Sequence, residues 1–426
     1  MRDPPSQLAR PAAATQDTEA QPVIDVRIRR MRRYGARHAR RTAPSPKPTP
    51  RTTPKPNRTS PSTYRRTIQA ALILLPLCAA AAMFRGPLPP PEATPLPSLP
   101  SLHRLSRPAQ WALGALHVPQ VWRHTKGEGV TVAVLDTGIH STHPDLIGAV
   151  IDGPDLTGIA RTAHAWGRHG TAMASLIAGR GHGPEHARGV MGVAPAANVL
   201  SIRVALESDD PRRQRDNGAL AEGIRRAVDL GATVINMSLG GGHSSQEGSA
   251  AESAAVRYAV TRGAVLVASA GNDGAKGNGR TYPAAYPDVL AVGAVDDRLR
   301  ITPYSNVSDY VSVLAPGSGI LTATGSNSYA IGDGTSSASA MVAGIAALIR
   351  AEYPHLSSLQ VRNAIERSAM RRPVGGPPFL GIADASGALA AAAEMAGDHI
   401  PELTKGSGAE GRESQSRQAA NPFVTD

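Results

Sequence analysis

The chain has 426 residues, a formal net charge of +11 and a single cysteine, Cys78. This length allows one large domain or two ordinary ones, each with a substantial buried core. Residues 1–66 contain 16 Lys and Arg against 4 Asp and Glu, so the rest of the chain is almost neutral. Because the positive charge lies in this leader, it gives no reason to predict that the folded part binds nucleic acid. One cysteine also excludes an intrachain disulfide.

The leader, residues 1–66, is rich in Arg, Pro, Ser and Thr and has no apolar periodicity. Such a segment cannot offset its ordering entropy by burial, so we predict a disordered basic extension. Residues 67–86 follow a positive flank and contain an apolar run that is shorter than a membrane span of about 20 residues. They are predicted to be a signal peptide or, if uncleaved, an N-terminal membrane anchor. We therefore expect the protein to be extracellular or on the outer face of the cytoplasmic membrane.

A Pro-rich linker over residues 87–110 is predicted to precede one domain over residues 111–395. Within that domain short apolar runs alternate with helical patterns, which is typical of a mostly parallel sheet covered by helices on both faces. Strands are predicted at Val130 to Leu135, Val199 to Val204, Thr233 to Met237, Ala264 to Ser269 and Val289 to Val295. Helices are predicted at Ala219 to Leu230, Ala250 to Arg262, Ser336 to Tyr353 and Ser357 to Met370. Residues 396–426 form a polar tail that predicts disorder and no C-terminal membrane anchor.

The first predicted strand ends in Asp136-Thr137-Gly138. This places a carboxylate at the carboxyl edge of the sheet, where open α/β sheets build their sites. The same motif also forms plain turns, and it resembles half of an aspartic-peptidase site. That site needs two carboxylates that share a proton, and the chain contains no second Asp-Thr-Gly or Asp-Ser-Gly.

Three further motifs supply a histidine, an amide and a serine. His169 opens a helical segment of small residues, although a single histidine is more often structural. Asn272 follows a predicted strand and could donate a hydrogen bond, although a loop Asn is usually a turn former. Ser336 opens a long apolar helix, where a serine is by default an N-cap. At that position its backbone N–H has no partner within the helix, and the helix dipole favours negative charge.

Taken together in the order Asp, His, Asn, Ser, these motifs resemble the subtilisin-like serine peptidase family (S8) over about residues 111–395. Chymotrypsin and the α/β-hydrolases have their catalytic residues in other orders. Three supporting motifs are His143-Pro144-Asp145-Leu146, Gly192-Val193-Ala194-Pro195 and Asn236-Met237-Ser238-Leu239-Gly240. The resemblance implies the subtilisin-like α/β fold, with three layers, and no cofactor.

The resemblance also implies the roles of the site residues. Ser336 would be the nucleophile, His169 its general base, and Asp136 the residue that orients the imidazole. The Asn272 amide and the Ser336 backbone N–H would hold the oxyanion. Six residues are implied to line the substrate cleft: Ser238, Leu239, Gly240, Ala270, Gly271 and Thr281. Because Thr281 stands near the floor of the P1 pocket, where many relatives have Gly, we expect small or medium apolar P1 residues.

Within the family, Gln110-Trp111, Val118 to Trp122 and Gly170 to Ala174 resemble the mycosins, peptidases associated with type VII secretion. This implies a protein or peptide substrate and the type VII secretion machinery as partners. The C-terminal membrane span and the disulfides of that group have no counterpart in the sequence. An alternative is a catalytically silent scaffold of a secretion complex, whose expected signature, loss of a triad residue, is not found.

Two segments resemble metal-binding motifs, and the sequence supports neither as a metal site. The segment from His182 to His186 fits the letters of a zinc-peptidase motif, but Gly183 and Pro184 make the necessary continuous helix improbable. Asp145 matches a position that often binds calcium in subtilisin-like folds. The loop after His169 supplies no visible set of further oxygen ligands, so calcium stays unassigned.

Overall fold

The computed structural model describes residues 110–161, 166–212, 218–240, 248–369, 372–373, 377 and 380–398. The predicted leader (1–66), the apolar segment (67–86), nearly all of the linker and the tail beyond residue 398 lie outside the described residues. These assignments therefore stay predictions. In the part that is described, no helix combines the length and the apolar character needed to cross a membrane.

A seven-stranded sheet forms the centre of the fold. Its strands are β1 Thr131–Asp136, β2 Val150–Asp155, β5 Asn198–Arg203, β6 Val234–Met237, β7 Val265–Ser269, β8 Val289–Val295 and β9 Val313–Pro316. Their spatial order is β2-β5-β1-β6-β7-β8-β9, and every neighbouring pair is parallel. β1 therefore lies near the middle of the sheet, beside β6. The carboxyl ends of all seven strands share one edge.

Two antiparallel hairpins accompany the sheet. They are β3 Arg180–His182 with β4 Arg188–Met191, and β10 Ile320–Thr324 with β11 Ser328–Gly332. Short 3₁₀ turns lie at Pro144–Leu146, Pro184–His186 and Gly274–Lys276.

Eight α-helices are described. They are α1 Trp111–Ala115, α2 Val118–Val121, α3 Arg168–Ala178, α4 Ala219–Asp229, α5 Ala250–Thr261, α6 Thr335–Glu352, α7 Ser358–Ser368 and α8 Ala385–Ala396. α4 and α5 cover one face of the sheet, while α3 and α6 cover the other and α7 and α8 pack against α6. The predicted α/β fold with three layers is therefore confirmed.

Successive side chains of β1 enter two different cores, which explains why helices cover both faces of the sheet. Val132 and Val134 belong to the core on the α3 and α6 side, and Ala133 and Leu135 belong to the core on the α4 and α5 side. All four side chains are fully buried. Because successive side chains of a strand point to opposite faces, a strand that is apolar throughout needs a helical layer on each side. Each of the five predicted strands is found within one residue of its predicted bounds.

Asp384 links the last described helix, α8, to the segment between α1 and α2. One carboxylate oxygen caps α8 by accepting from Gly387 N at 3.0 Å, and the other accepts from His117 Nδ1 at 2.8 Å. Burial by itself would raise the pKa of Asp384, but the hydrogen bonds from His117, Gly387 and Ser386 outweigh it and hold the pKa below its usual range. A carboxyl group with a lowered folded-state pKa stabilises the fold above its unfolded value of about 3.9, and this contribution is lost as the pH falls through the folded-state pKa.

We expect Asp384→Ala to lower the free energy of unfolding by about 1–2 kcal/mol at pH 7, because a helix cap and a partly buried hydrogen bond are lost. Urea unfolding of the purified chain measures this difference. The difference should shrink below about pH 4 as the wild-type carboxylate is protonated. The exposed Asp288→Ala variant is the control. A difference of the same size at pH 3 and pH 7 would contradict this account.

Candidate active site

Asp136 is the last residue of β1 and is fully buried at the carboxyl edge of the sheet. Its Oδ1 accepts a hydrogen bond of 2.7 Å from the backbone N–H of Thr137. The chain then turns at Gly138, whose φ is +98°. A Cβ at Gly138 would lie 2.7 Å from the Trp166 ring, so only glycine fits this turn. The carboxylate is thus held at the end of a rigid strand.

His169 is the second residue of α3. Its Nδ1 lies 2.8 Å from Oδ1 and 2.9 Å from Oδ2 of Asp136. The carboxylate is shielded from solvent, whereas the imidazole is 38% exposed. An Nδ1–H donated to Asp136 selects the tautomer in which Nε2 is the basic nitrogen. The pair therefore presents a base that is oriented by a buried carboxylate.

A close approach between α3 and the turn after β1 sets the position of His169. The backbone N–H of Gly170 donates to Thr137 Oγ1 at 3.1 Å. A Cβ at Gly170 would lie 2.1 Å from the carbonyl oxygen of Gly138, so a larger residue would push the helix away. The glycine after His169 is therefore required by the contact that brings the imidazole to Asp136.

Ser336 is the second residue of α6, which packs against α3. Its hydroxyl is half-buried and donates a long hydrogen bond of 3.4 Å to the carbonyl oxygen of Ser238. Ser238 directly follows β6, the neighbour of β1. Ser336 thus lies at the same sheet edge as Asp136. At this position in a helix the backbone N–H precedes the first intrahelical acceptor and favours a negative partner.

A hydrogen-bond network beneath Ser336 joins β6 to α6. The carbonyl oxygen of Ser336 accepts from Ser238 Oγ at 3.0 Å and from Ser339 Oγ at 3.1 Å. Asn236 Nδ2 donates to Ser238 Oγ at 3.0 Å, and the Ser238 and Ser339 hydroxyls lie 2.9 Å apart. Sequence reasoning missed Ser339, although its position three residues after Ser336 on one helix predicts that both lie on the same face.

Asn272 follows β7 and is held by the residue before Ser336. Its Oδ1 accepts from both the backbone N–H and the hydroxyl of Thr335, each at 3.0 Å. Because Thr335 engages the amide oxygen, the other polar atom of the side chain is the donor Nδ2. Asn272 is exposed, so this donor lies on an exposed residue. The structure thus places an amide donor beside the first turn of α6.

Thr281 lies between two glycines of the predicted substrate cleft and is 3% exposed. A Cβ at Gly240 would lie 2.8 Å from Thr281 Cγ2, and one at Gly271 would lie 2.7 Å from Thr281 Oγ1. Asn306 Nδ2 donates to Thr281 Oγ1 at 3.2 Å and so fixes its rotamer. The threonine methyl and hydroxyl therefore fill the space between the two glycines.

The remaining cleft residues are placed differently from one another. Leu239 is half-buried, and its carbonyl oxygen accepts from Ser269 Oγ at 3.2 Å, so this segment is tied to the end of β7. Ala270 is fully buried in a cluster with Val295 and Leu314. Its side chain is therefore part of this buried cluster and is not exposed.

Asp145 does not have the surroundings of a calcium site. Its fully buried carboxylate lies 2.6 Å from His182 Nδ1 and accepts from the backbone N–H of Val190 at 2.7 Å. Calcium prefers six to eight oxygen ligands. Here both carboxylate oxygens are already engaged, one by the histidine ring nitrogen and the other by the backbone N–H. Within the described residues no cluster of three or more potential metal ligands is found. The residues present here do not fit calcium.

The zinc-like motif does not form a helix. His182 is the last residue of β3, and a 3₁₀ turn covers Pro184–His186. The backbone of Glu185 has a φ of +52° and that of His186 a φ of +53°, which interrupts any regular helix. The two histidines therefore do not lie on one face of a continuous helix, as that zinc chemistry requires.

Known proteins and solved structures of one family are similar to this chain. A family model described as "Subtilase family" matches residues 127–408. Thermitase of Thermoactinomyces vulgaris is 36% identical over 260 residues, which cover 61% of this chain and 88% of thermitase. Among solved structures, the MycP3 protease from the type VII (ESX-3) secretion system aligns with a TM-score of 0.55 and 31% identity, covering 66% of this chain and 88% of that one. MycP1 from Mycobacterium smegmatis aligns with a TM-score of 0.55 and 27% identity, covering 68% and 85%.

Proposed function

This chain belongs to the subtilase family, and we propose that it is a serine endopeptidase with Asp136, His169 and Ser336 as its catalytic triad. The observation that carries the proposal is the 2.8 Å contact between His169 Nδ1 and the buried Asp136 carboxylate, on a helix that packs against the helix of Ser336. A buried carboxylate that orients an imidazole is the arrangement that a general base for a serine nucleophile requires.

The proposed reaction begins with attack of Ser336 Oγ on the carbonyl carbon of a peptide bond. A serine hydroxyl is a weak nucleophile at neutral pH, so His169 Nε2 takes its proton and later delivers it to the leaving amine. Asp136 stabilises the imidazolium that forms between these steps. Water then hydrolyses the acyl-enzyme with His169 again as the base, which regenerates the Ser336 hydroxyl.

Negative charge on the carbonyl oxygen is held by two donors in the proposed site. They are the Asn272 Nδ2 amide and the backbone N–H of Ser336 at the start of α6. Thr335 engages the amide oxygen of Asn272 from two atoms, which supports a fixed donor direction. A donor that is already oriented costs no reorganisation when the charge develops.

The proposed substrate is an extended protein or peptide chain lying along Ser238, Leu239 and Gly240, as an added strand. Thr281 fills the space that a Cβ at Gly240 or Gly271 would occupy, and this supports a narrowed P1 pocket. We therefore propose small or medium apolar side chains at P1.

Thr281→Gly is expected to raise the ratio of kcat/KM for Phe over Ala at P1 by about tenfold or more, because hydrophobic pockets discriminate on this scale per added group. Matched peptides that differ only at P1 measure this ratio. Thr281→Val is the control, since it keeps the volume and loses only the hydroxyl. A wild-type preference for Phe or Arg at P1 would contradict the narrowed pocket.

A fluorophosphonate probe tests the proposed activity. It reacts with a serine only where a base and an oxyanion site activate the hydroxyl. We expect the purified full chain to be labelled, and mass spectrometry after trypsin digestion to locate the adduct on Ser336. Folded protein that is not labelled at neutral pH would overturn the proposal and favour the catalytically silent scaffold. An acid-acting aspartic peptidase built on Asp136 would instead cleave peptides without being labelled.

A role in type VII secretion is the narrower proposal. It rests on the structural likeness to MycP1 and MycP3, the latter a protease of a type VII secretion system. In this role the chain would process a protein substrate at the secretion machinery. In the native host, deletion should block secretion of such a substrate, and plasmid-borne wild type should restore it. Restoration by wild type and not by Ser336→Ala supports processing, whereas restoration by both would show a scaffold role.

The proposed location is the extracellular space or the outer face of the cytoplasmic membrane. It is supported by the apolar sequence within residues 67–86 and by the likeness to MycP3, a protease from a type VII secretion system. N-terminal sequencing of the mature protein distinguishes the two forms. A start just after Ala82 or further along the chain indicates cleavage and release, and an intact apolar segment indicates an anchor.

A further inference from the structure

The helix that carries His169 begins without a cap of its own. The N-cap residue of α3 is Gly167, with a φ of +71°, so it has no side chain that could accept from the first turn. The first N–H groups of any helix need acceptors from outside the helix. At α3 these N–H groups belong to Arg168 and to His169, the proposed catalytic base.

Glu207 supplies the missing acceptor from a distant part of the chain. Its Oε1 accepts from the backbone N–H of Arg168 at 2.6 Å and from that of His169 at 3.3 Å. The residue is only 5% exposed and lies in the segment that follows β5, 39 positions after Arg168. A carboxylate at a helix N-terminus is stabilised by the helix dipole, and hydrogen bonds to a charged acceptor are stronger than neutral ones.

His169 is therefore held by two carboxylates at different atoms. Asp136 accepts from its side chain and Glu207 from its backbone. β1, which ends at Asp136, and β5, which precedes Glu207, are neighbours in the sheet. The imidazole orientation depends on the backbone of the first helical turn, and misplacement by about 1 Å can cost about 10²-fold in rate.

We infer that Glu207 is a positioning residue for the proposed peptidase reaction, which fixes the first turn of α3 and thereby aligns His169 with Ser336. This inference rests on the proposed function. Glu207 takes no part in the proton transfers, because the atoms it contacts are backbone N–H groups.

The neighbouring ion pair of Arg168 with Asp209 offers a matched control. Asp209 Oδ1 accepts from Arg168 Nη2 at 2.5 Å, but the two side chains are 44% and 66% exposed. Exposed ion pairs contribute little to stability. Asp209→Ala thus removes a carboxylate from the same helix terminus without removing an acceptor of its backbone N–H groups.

The test compares kcat and KM of full-chain variants on one peptide substrate. We expect Glu207→Ala to lower kcat about 10- to 100-fold and to change KM less than about threefold. Glu207→Gln should recover most of the loss, because its amide oxygen can accept the same two bonds. Asp209→Ala should match wild type.

If Glu207→Ala does not fold, Glu207→Asp takes its place, since its shorter side chain cannot reach both N–H groups. A rise in KM with kcat unchanged, or no change in either constant, would overturn the inference.

A second measurement separates this inference from the proposed function. The His169 Nδ1 proton, shared with Asp136, should give a low-field ¹H NMR signal in the wild-type chain whether or not the protein cleaves peptides. The signal should shift or broaden in Glu207→Ala and return in Glu207→Gln. If the wild-type chain cleaves no peptide but the signal changes in Glu207→Ala and returns in Glu207→Gln, the proposed peptidase activity is disproved and the positioning role of Glu207 stands. An active wild type whose signal is unchanged in Glu207→Ala would disprove the positioning role alone.

Discussion

Replacing Ser336 by Ala is expected to lower kcat for a peptide substrate by about 10⁶-fold, a magnitude carried over from subtilisin itself. The hydroxyl oxygen is the atom that would bond to the substrate carbonyl carbon, and alanine has no atom that could take its place. Asp136, His169 and Asn272 would all remain in place. Slow hydrolysis through the oxyanion site, about 10³ to 10⁴ times faster than in water, is the activity that should persist. Progress curves at high enzyme concentration measure this residual activity.

Ser337→Ala is the matched control for this prediction. Ser337 is the next residue on the same helical turn and is buried, so the change is chemically identical but removes a hydroxyl with no proposed part in catalysis. The control should keep wild-type kcat and fluorophosphonate labelling. Peptidase activity that survives in a rigorously purified Ser336→Ala protein would show that another residue is the nucleophile.

Asn272→Ala is expected to lower kcat about 10²- to 10³-fold with little change in KM, again a magnitude measured in subtilisin. The amide would bond the carbonyl oxygen strongly only when negative charge develops on it, so the loss should fall on the transition state and not on substrate binding. Steady-state kinetics with one good peptide substrate separates the two constants.

Asn272→Asp tests whether this loss comes from the donor or from the fold. The aspartate keeps an oxygen that can accept from the N–H and hydroxyl of Thr335, as Asn272 Oδ1 does. It has no N–H to offer and would repel the oxyanion, so kcat should fall at least as far as in the alanine variant. Recovery of activity in Asn272→Asp would show that Asn272 acts only by holding Thr335.

Local patterns in the sequence were sufficient to predict the main elements. Five buried strands and four helices have periodicities and glycine or serine boundaries that can be recognised without knowledge of the fold. β2 was not predicted, because it lies at the sheet edge, contains Gly153-Pro154 and has no fully buried residue. The hairpin strand β3 has only three residues, too few to show a clear alternation.

The α/β class, the family and four site candidates could be predicted without the fold. The candidates Asp136, His169, Asn272 and Ser336 each lie in a short motif next to a predictable element. The side chains that meet across long separations could be identified from the fold alone. Glu207 on the first turn of α3, the Ser238 and Ser339 hydroxyls, and His182 beside Asp145 all belong to this second group. Contacts of this kind depend on the paths of the intervening loops and on how helices dock on the sheet, and a single sequence carries no periodic signal for either.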